Sequence, residues 1–124
     1  AKAIEHVGHR AVVSADKSLI RTADRLILPG VGAFRDAIAR LKELGLDDTI
    51  RDYHATGRPL LGICLGLQLL FEVSEEEGLH QGLGILKGDV VRFPLMPSSV
   101  PGESLKVPHM GWNEIHPKGD ALIL

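Results

Sequence analysis

The sequence holds a single cysteine, Cys64, so no disulfide can form within the chain. That excludes the disulfide-rich secreted scaffolds. It has no apolar run of the ~20 residues that a membrane-spanning helix needs. Its most apolar stretch, 60–71, is interrupted by Gln68. It has no excess of positive charge: sixteen acidic residues face fourteen lysines and arginines. No electrostatic footprint for nucleic acid follows from that balance. The first residues lack the charged-then-apolar pattern of a signal peptide, which makes the cytoplasm the expected compartment. Internal repeats, low-complexity tracts and long linkers are missing too. Neither Cys-x-x-Cys nor His-x-x-x-His occurs, so neither a metal nor a cofactor is expected.

What is present is 124 residues of ordinary globular composition, the size of one domain. Both ends read as cut. Ala1 to Val7 has the look of a helix tail, with Gly8 where a C-cap glycine belongs. The chain stops on the apolar run Leu122-Ile123-Leu124. The expectation is one partial domain, 1–124, incomplete at both termini.

Apolar periodicity predicts the elements. Ala11 to Val13 is a strand candidate and Asp16 to Ile20 a helical turn. Arg25 to Leu28 is an apolar strand, closed by Pro29-Gly30. Apolar residues at 34, 37, 38, 41 and 44 mark a helix over 33–44. Asp47 is placed to cap a second helix ending near Ala55. Leu60 to Ile63 is a second strand, and Leu65 to Glu72 a helix apolar almost all round. Strands are expected over 82–93 and 106–115, joined by a Pro/Ser/Gly-rich loop, 94–104. Strands alternating with helices predict an α/β fold with a mostly parallel sheet. Strands apolar on both faces predict helices on both sides of it.

Two strand ends carry unusual residues. Gly62-Ile63-Cys64-Leu65-Gly66 follows an apolar strand and opens a helix, which is the nucleophile-elbow pattern with cysteine in place of serine. Such a turn is crowded, and Gly62 and Gly66 have no Cβ. The helix beginning at Leu65 aims its free N–H groups at the sulfur, which suits a thiolate. The Leu65 amide is also placed to donate to a developing oxyanion. The alternative is a buried, inert cysteine. Gln68 lies one turn after Cys64 and either faces the cleft or satisfies a local backbone group. The second strand end, Pro29-Gly30-Val31-Gly32, is a poor dinucleotide fingerprint because Arg35 replaces its third glycine. It is either a plain tight turn or a neighbouring loop able to present a second oxyanion N–H.

A cysteine nucleophile usually needs a histidine. Of six histidines, His6, His9, His54, His80 and His116 occupy helix ends or loops with no evident partner position. His109 shares the stretch Pro108-His109-Met110-Gly111-Trp112-Asn113 with the lone tryptophan, which is either core or an interface anchor. Glu72, Glu75, Glu76 and Glu77 form either a solvated face or a site for a substrate ammonium.

The motifs Leu28-Pro29-Gly30-Val31-Gly32-Ala33-Phe34 and Pro59-Leu60-Leu61-Gly62-Ile63-Cys64-Leu65-Gly66-Leu67-Gln68-Leu69-Leu70-Phe71 resemble the class I glutamine amidotransferases. With Val107-Pro108-His109-Met110-Gly111-Trp112-Asn113 they resemble, within that class, the glutaminase subunits of imidazole glycerol phosphate synthases of histidine biosynthesis. The resemblance implies a flavodoxin-like three-layer sandwich. It implies that Cys64 attacks glutamine, that amides of Leu65 and of Val31–Gly32 hold the oxyanion, and that Gln68 and Glu76 bind the substrate. It implies a (β/α)₈-barrel cyclase subunit as heterodimer partner, met by His109, Met110, Gly111, Trp112 and Asn113. It also implies a catalytic His and Glu from a His-Pro-Glu motif near the carboxyl end; no such motif occurs before Leu124, so the 124 residues alone are expected to be a poor glutaminase. Leu67 stands where the family commonly has methionine, a nearly volume-conserving exchange. Two other readings are a DJ-1-like cysteine hydrolase, which commonly has histidine where Leu65 stands, and a non-catalytic binding module.

Overall fold

The computed structural model describes residues 1–93, 111–114 and 116. The chain divides into two compact units, Ala1–Arg92 and Phe93–Leu124. In the first, α1 (Lys2–His6), α2 (Lys17–Thr22), β1 (Leu26–Gly30), α3 (Phe34–Glu43) and α4 (Leu46–Ala55) lead to β2 (Leu60–Cys64). Then come α5 (Leu65–Leu69), β3 (Val73–Ser74), β4 (His80–Gln81) and β5 (Asp89–Val90). In the second unit, Phe93 and 111–114 are exposed, with no strand among them.

The centre of the first unit is the parallel pair β1–β2, in register from Leu26↔Leu60 to Gly30↔Cys64. Strand side chains alternate between faces. Leu26, Leu28 and Leu60 pack on a cluster of Ile20, Phe34, Ile38, Leu46, Ile50, Leu65, Leu69, Leu70 and Leu83. The opposite face carries Ile27, Leu61 and Ile63, all exposed among the described residues. The expected α/β character and parallel pairing are therefore present, with one sheet face covered.

Local chemistry explains most boundaries. Gly8 closes α1 in the left-handed region, with His9 N–H donating to Ile4 O and Gly8 N–H to Glu5 O. Asp16 caps α2 by accepting from the Ser18 and Leu19 amides.

Four expectations are corrected. Ala11 to Val13 is not a strand; Val12 and Val13 are exposed and no described strand pairs with them. Asp47 is not the cap of α4. Gly45, at φ 61°, makes the corner from α3, and Asp47 sits in the first turn, accepting from Arg51 at 3.3 Å. Helix α5 stops at Leu69 rather than Glu72, because its terminal carbonyls are taken from outside the helix. Leu83 N–H donates to Leu69 O, and Ile85 and Leu86 N–H to Leu70 O, each at 2.8 Å. That use of the backbone also prevents a continuous strand over 82–93, of which only β5 forms, parallel to β3. The strand expected over 106–115 falls largely outside the described residues, and 111–114 are not strand.

Candidate active site

The two strand ends singled out from the sequence lie side by side. Register places Gly30 opposite Cys64, and the chain turns there directly into α5. Cys64 takes φ 56° and ψ −124°. An L-residue rarely holds that conformation, and it costs about 1–3 kcal/mol. Its thiol is free and exposed. The reading of Cys64 as a buried small hydrophobe is thereby removed.

The glycines around it are there for space. A Cβ on Gly62 would come within 2.5 Å of Leu67 Cα. One on Gly66 would collide with the Leu28 carbonyl oxygen. One on Gly30 would meet Gly66 N at 2.7 Å. β1, β2 and the start of α5 thus touch backbone to backbone, which holds the elbow rigid. Leu65 is the first residue of α5, so its N–H has no intrahelical partner. Its side chain is buried, which anchors the amide.

The loop after β1 is open. Val31 is 90% exposed, and Gly32 has φ +92° with free space where a Cβ would stand. Gly32 is required for its backbone angle rather than for room. The loop runs into Phe34, which is completely buried.

Glu76 reaches the same place from the far side of the sequence. Its Oε2 accepts a hydrogen bond from Phe34 N–H at 2.7 Å. Its own N–H donates to Oγ of the fully buried Ser74 at 3.2 Å. Glu76 is therefore joined to the end of the Gly30–Gly32 loop, which the sequence did not reveal. The one available signal was negative: Ala33, before α3, has no side chain able to cap it. Gln68 is exposed on α5, and its amide makes no hydrogen bond among the described residues. His80 lies on β4 with Nε2 buried, against Gly78, and without a hydrogen-bond partner among the described residues.

Gly111, Trp112 and Asn113 are exposed, while His109 and Met110 lie outside the described residues. No group of three metal-ligating side chains occurs among the described residues. No helix among them is long and apolar enough to cross a membrane.

Residues 3–94 match a family model described as the CobB/CobQ-like glutamine amidotransferase domain. Among curated proteins, the chain is 54% identical over 117 residues to imidazole glycerol phosphate synthase subunit HisH of Rhodopirellula baltica, covering 94% of this chain and 54% of that protein. It is 55% identical over 114 residues to the subunit of the same name in Geobacillus thermodenitrificans, covering 92% and 53%. The subunit of that name in Aquifex aeolicus is 52% identical over 124 residues, covering 99% and 56%. The chain spans about half the length of these relatives.

Proposed function

The chain belongs to the CobB/CobQ-like glutamine amidotransferase family, and on that premise we propose that it is the nucleophile-bearing part of a glutaminase subunit. The observation that carries the reading is the strained, exposed Cys64 at the elbow, with Gly30 fixed beside it. The names of the relatives support imidazole glycerol phosphate synthase, in histidine biosynthesis, as the enzyme it serves.

In this mechanism the general base takes the Cys64 thiol proton as the sulfur attacks the side-chain carbonyl carbon of glutamine. The carbonyl oxygen becomes an oxyanion, received by the Leu65 N–H and by an N–H of the Val31–Gly32 segment. The C–N bond breaks, nitrogen leaves as ammonia with a proton delivered by the general base, and a γ-glutamyl thioester remains. Water then hydrolyses the thioester to glutamate and restores the thiol. Gln68 and Glu76 hold the substrate, with the Glu76 carboxylate suited to its ammonium. The base is the histidine of a His-Pro-Glu motif, which Ala1–Leu124 does not contain. The strand-covering layers form a flavodoxin-like three-layer sandwich of which 1–124 is one part. The subunit works in the cytoplasm, and its ammonia passes to a (β/α)₈-barrel cyclase subunit bound through the His109–Asn113 segment.

The test is Cys64→Ala in the full-length protein assembled with its cyclase. Glutamine-dependent product formation is expected to vanish while ammonia-dependent formation persists. Equal loss of both activities, or survival of the first, refutes the role given to Cys64.

A further inference from the structure

Helix α3 begins without a capping side chain: Ala33 has the extended backbone of an N-cap, φ −84° and ψ 140°, but nothing to accept with. The first N–H groups of a helix need acceptors from outside it. Phe34 N–H finds one 42 residues along the chain, in Glu76 Oε2. Glu76 Oε1 accepts no hydrogen bond among the described residues. The carboxylate therefore has one oxygen committed to the protein and one unused.

The bond sits at a mechanically decisive point. The Gly30–Gly32 loop is pinned at one end, where Gly30 lies against Leu65 and Gly66. Its middle is open, with Val31 exposed and Gly32 in a left-handed conformation. Its other end is Phe34, whose ring is buried and whose amide Glu76 holds. The backing is firm as well, since Glu76 N–H is bonded to buried Ser74.

We propose that Glu76 is a positioning residue for the oxyanion loop. Oε2 fixes the start of α3, and through it the Val31 and Gly32 amides, while Oε1 takes the substrate ammonium. One carboxylate thereby couples occupancy of the substrate site to the geometry of the oxyanion donors. The inference rests on the glutaminase reading for its catalytic half and on the Phe34 bond alone for its structural half.

The experiment compares Glu76→Gln and Glu76→Ala in the full-length protein with its cyclase. Glutamine at 76 keeps an acceptor oxygen for Phe34 N–H but gives up the charge; alanine gives up both. Both variants are expected to raise KM for glutamine about tenfold or more, as a charge-assisted contact is lost. Only alanine is expected to lower kcat as well, by about tenfold, and to speed deuterium exchange at the Phe34 amide about tenfold. Equal kcat in the two variants overturns the proposal, and so does unchanged Phe34 exchange in Glu76→Ala. Should the alanine variant not fold, Glu76→Asp, one methylene short of Phe34, is judged by the same two criteria. Glutamine-dependent activity surviving Cys64→Ala would instead remove the catalytic reading, and Phe34 exchange would then decide the clamp by itself.

Discussion

Cys64 is held in its strained turn by neighbours that cannot yield, because they are backbone. Gly66 and Gly84 make the point by contrast. Gly66 lies where a methyl group would collide with the Leu28 carbonyl, on the adjoining strand. Gly84 has φ +64° and open space around it. Gly66→Ala is expected to destabilise by about 3 kcal/mol or more, since overpacking costs most where no side chain can move aside. Gly84→Ala is expected to cost only about 1 kcal/mol, the penalty of a left-handed L-residue. Urea denaturation of the full-length variants measures both, and equal losses would show that the elbow tolerates a methyl group. The Cys64 elbow was legible because its glycines and its cysteine lie within five residues. The resemblance named Glu76 as a substrate residue, but its bond to Phe34, 42 residues away, was not legible.

Among the elements, α2 is the one whose start is most plainly electrostatic. Asp16 Oδ1 accepts from Ser18 Oγ at 2.6 Å, Ser18 N at 2.7 Å and Leu19 N at 3.2 Å. The Ser18 hydroxyl first, then the Leu19 and Ser18 amides, hold the Asp16 carboxyl below its usual range. Its folded pKa thus lies below the unfolded one, so its contribution is present at neutral pH and is lost as pH falls through the folded value. Asn at 16 caps without a charge. Wild type is therefore expected to exceed Asp16→Asn in stability at pH 7, with the gap shrinking below about pH 4 and closing once Asp16 is protonated. Parallel denaturation curves across pH check this, and a gap independent of pH would refute it. The periodic stretches of α3, α4, β1 and β2 were readable because apolar spacing acts over neighbouring residues. α5 was over-extended because periodicity along 65–72 does not reveal that the Leu69 and Leu70 carbonyls bond to 83–86.

For the whole molecule, one side chain tests whether the second unit belongs to assembly rather than to stability. Trp112 is fully exposed among the described residues, so none of them buries its ring. Trp112→Ala is expected to change stability by no more than about 0.5 kcal/mol. At a proposed partner face, it is expected to weaken cyclase binding by about 2 kcal/mol, the scale of an interfacial anchor. Thermal unfolding and titration calorimetry on the full-length protein separate the two. A stability loss with unchanged binding would refute the interface role. The face of the β1–β2 pair left uncovered among the described residues, with Ile27, Leu61 and Ile63, shows the same limit of sequence reading. Apolar residues on both sides of a strand predict that both sides favour cover. They do not specify which segment supplies it.

The sequence alone determined the local events: the strand-turn-helix around Cys64, the glycines that make it possible, the Gly8 cap, and the alternation of strands and helices. Each depends on residues within a turn or two, where backbone sterics and side-chain spacing act directly. Tertiary structure decided what needed distant groups to meet. It set Gly30 beside Cys64, brought Glu76 to an uncapped helix, ended α5 with the amides of 83–86, and left only one face of the sheet covered among the described residues. An unsatisfied N–H or an open carbonyl announces a need, but only the packed chain determines which partner meets it.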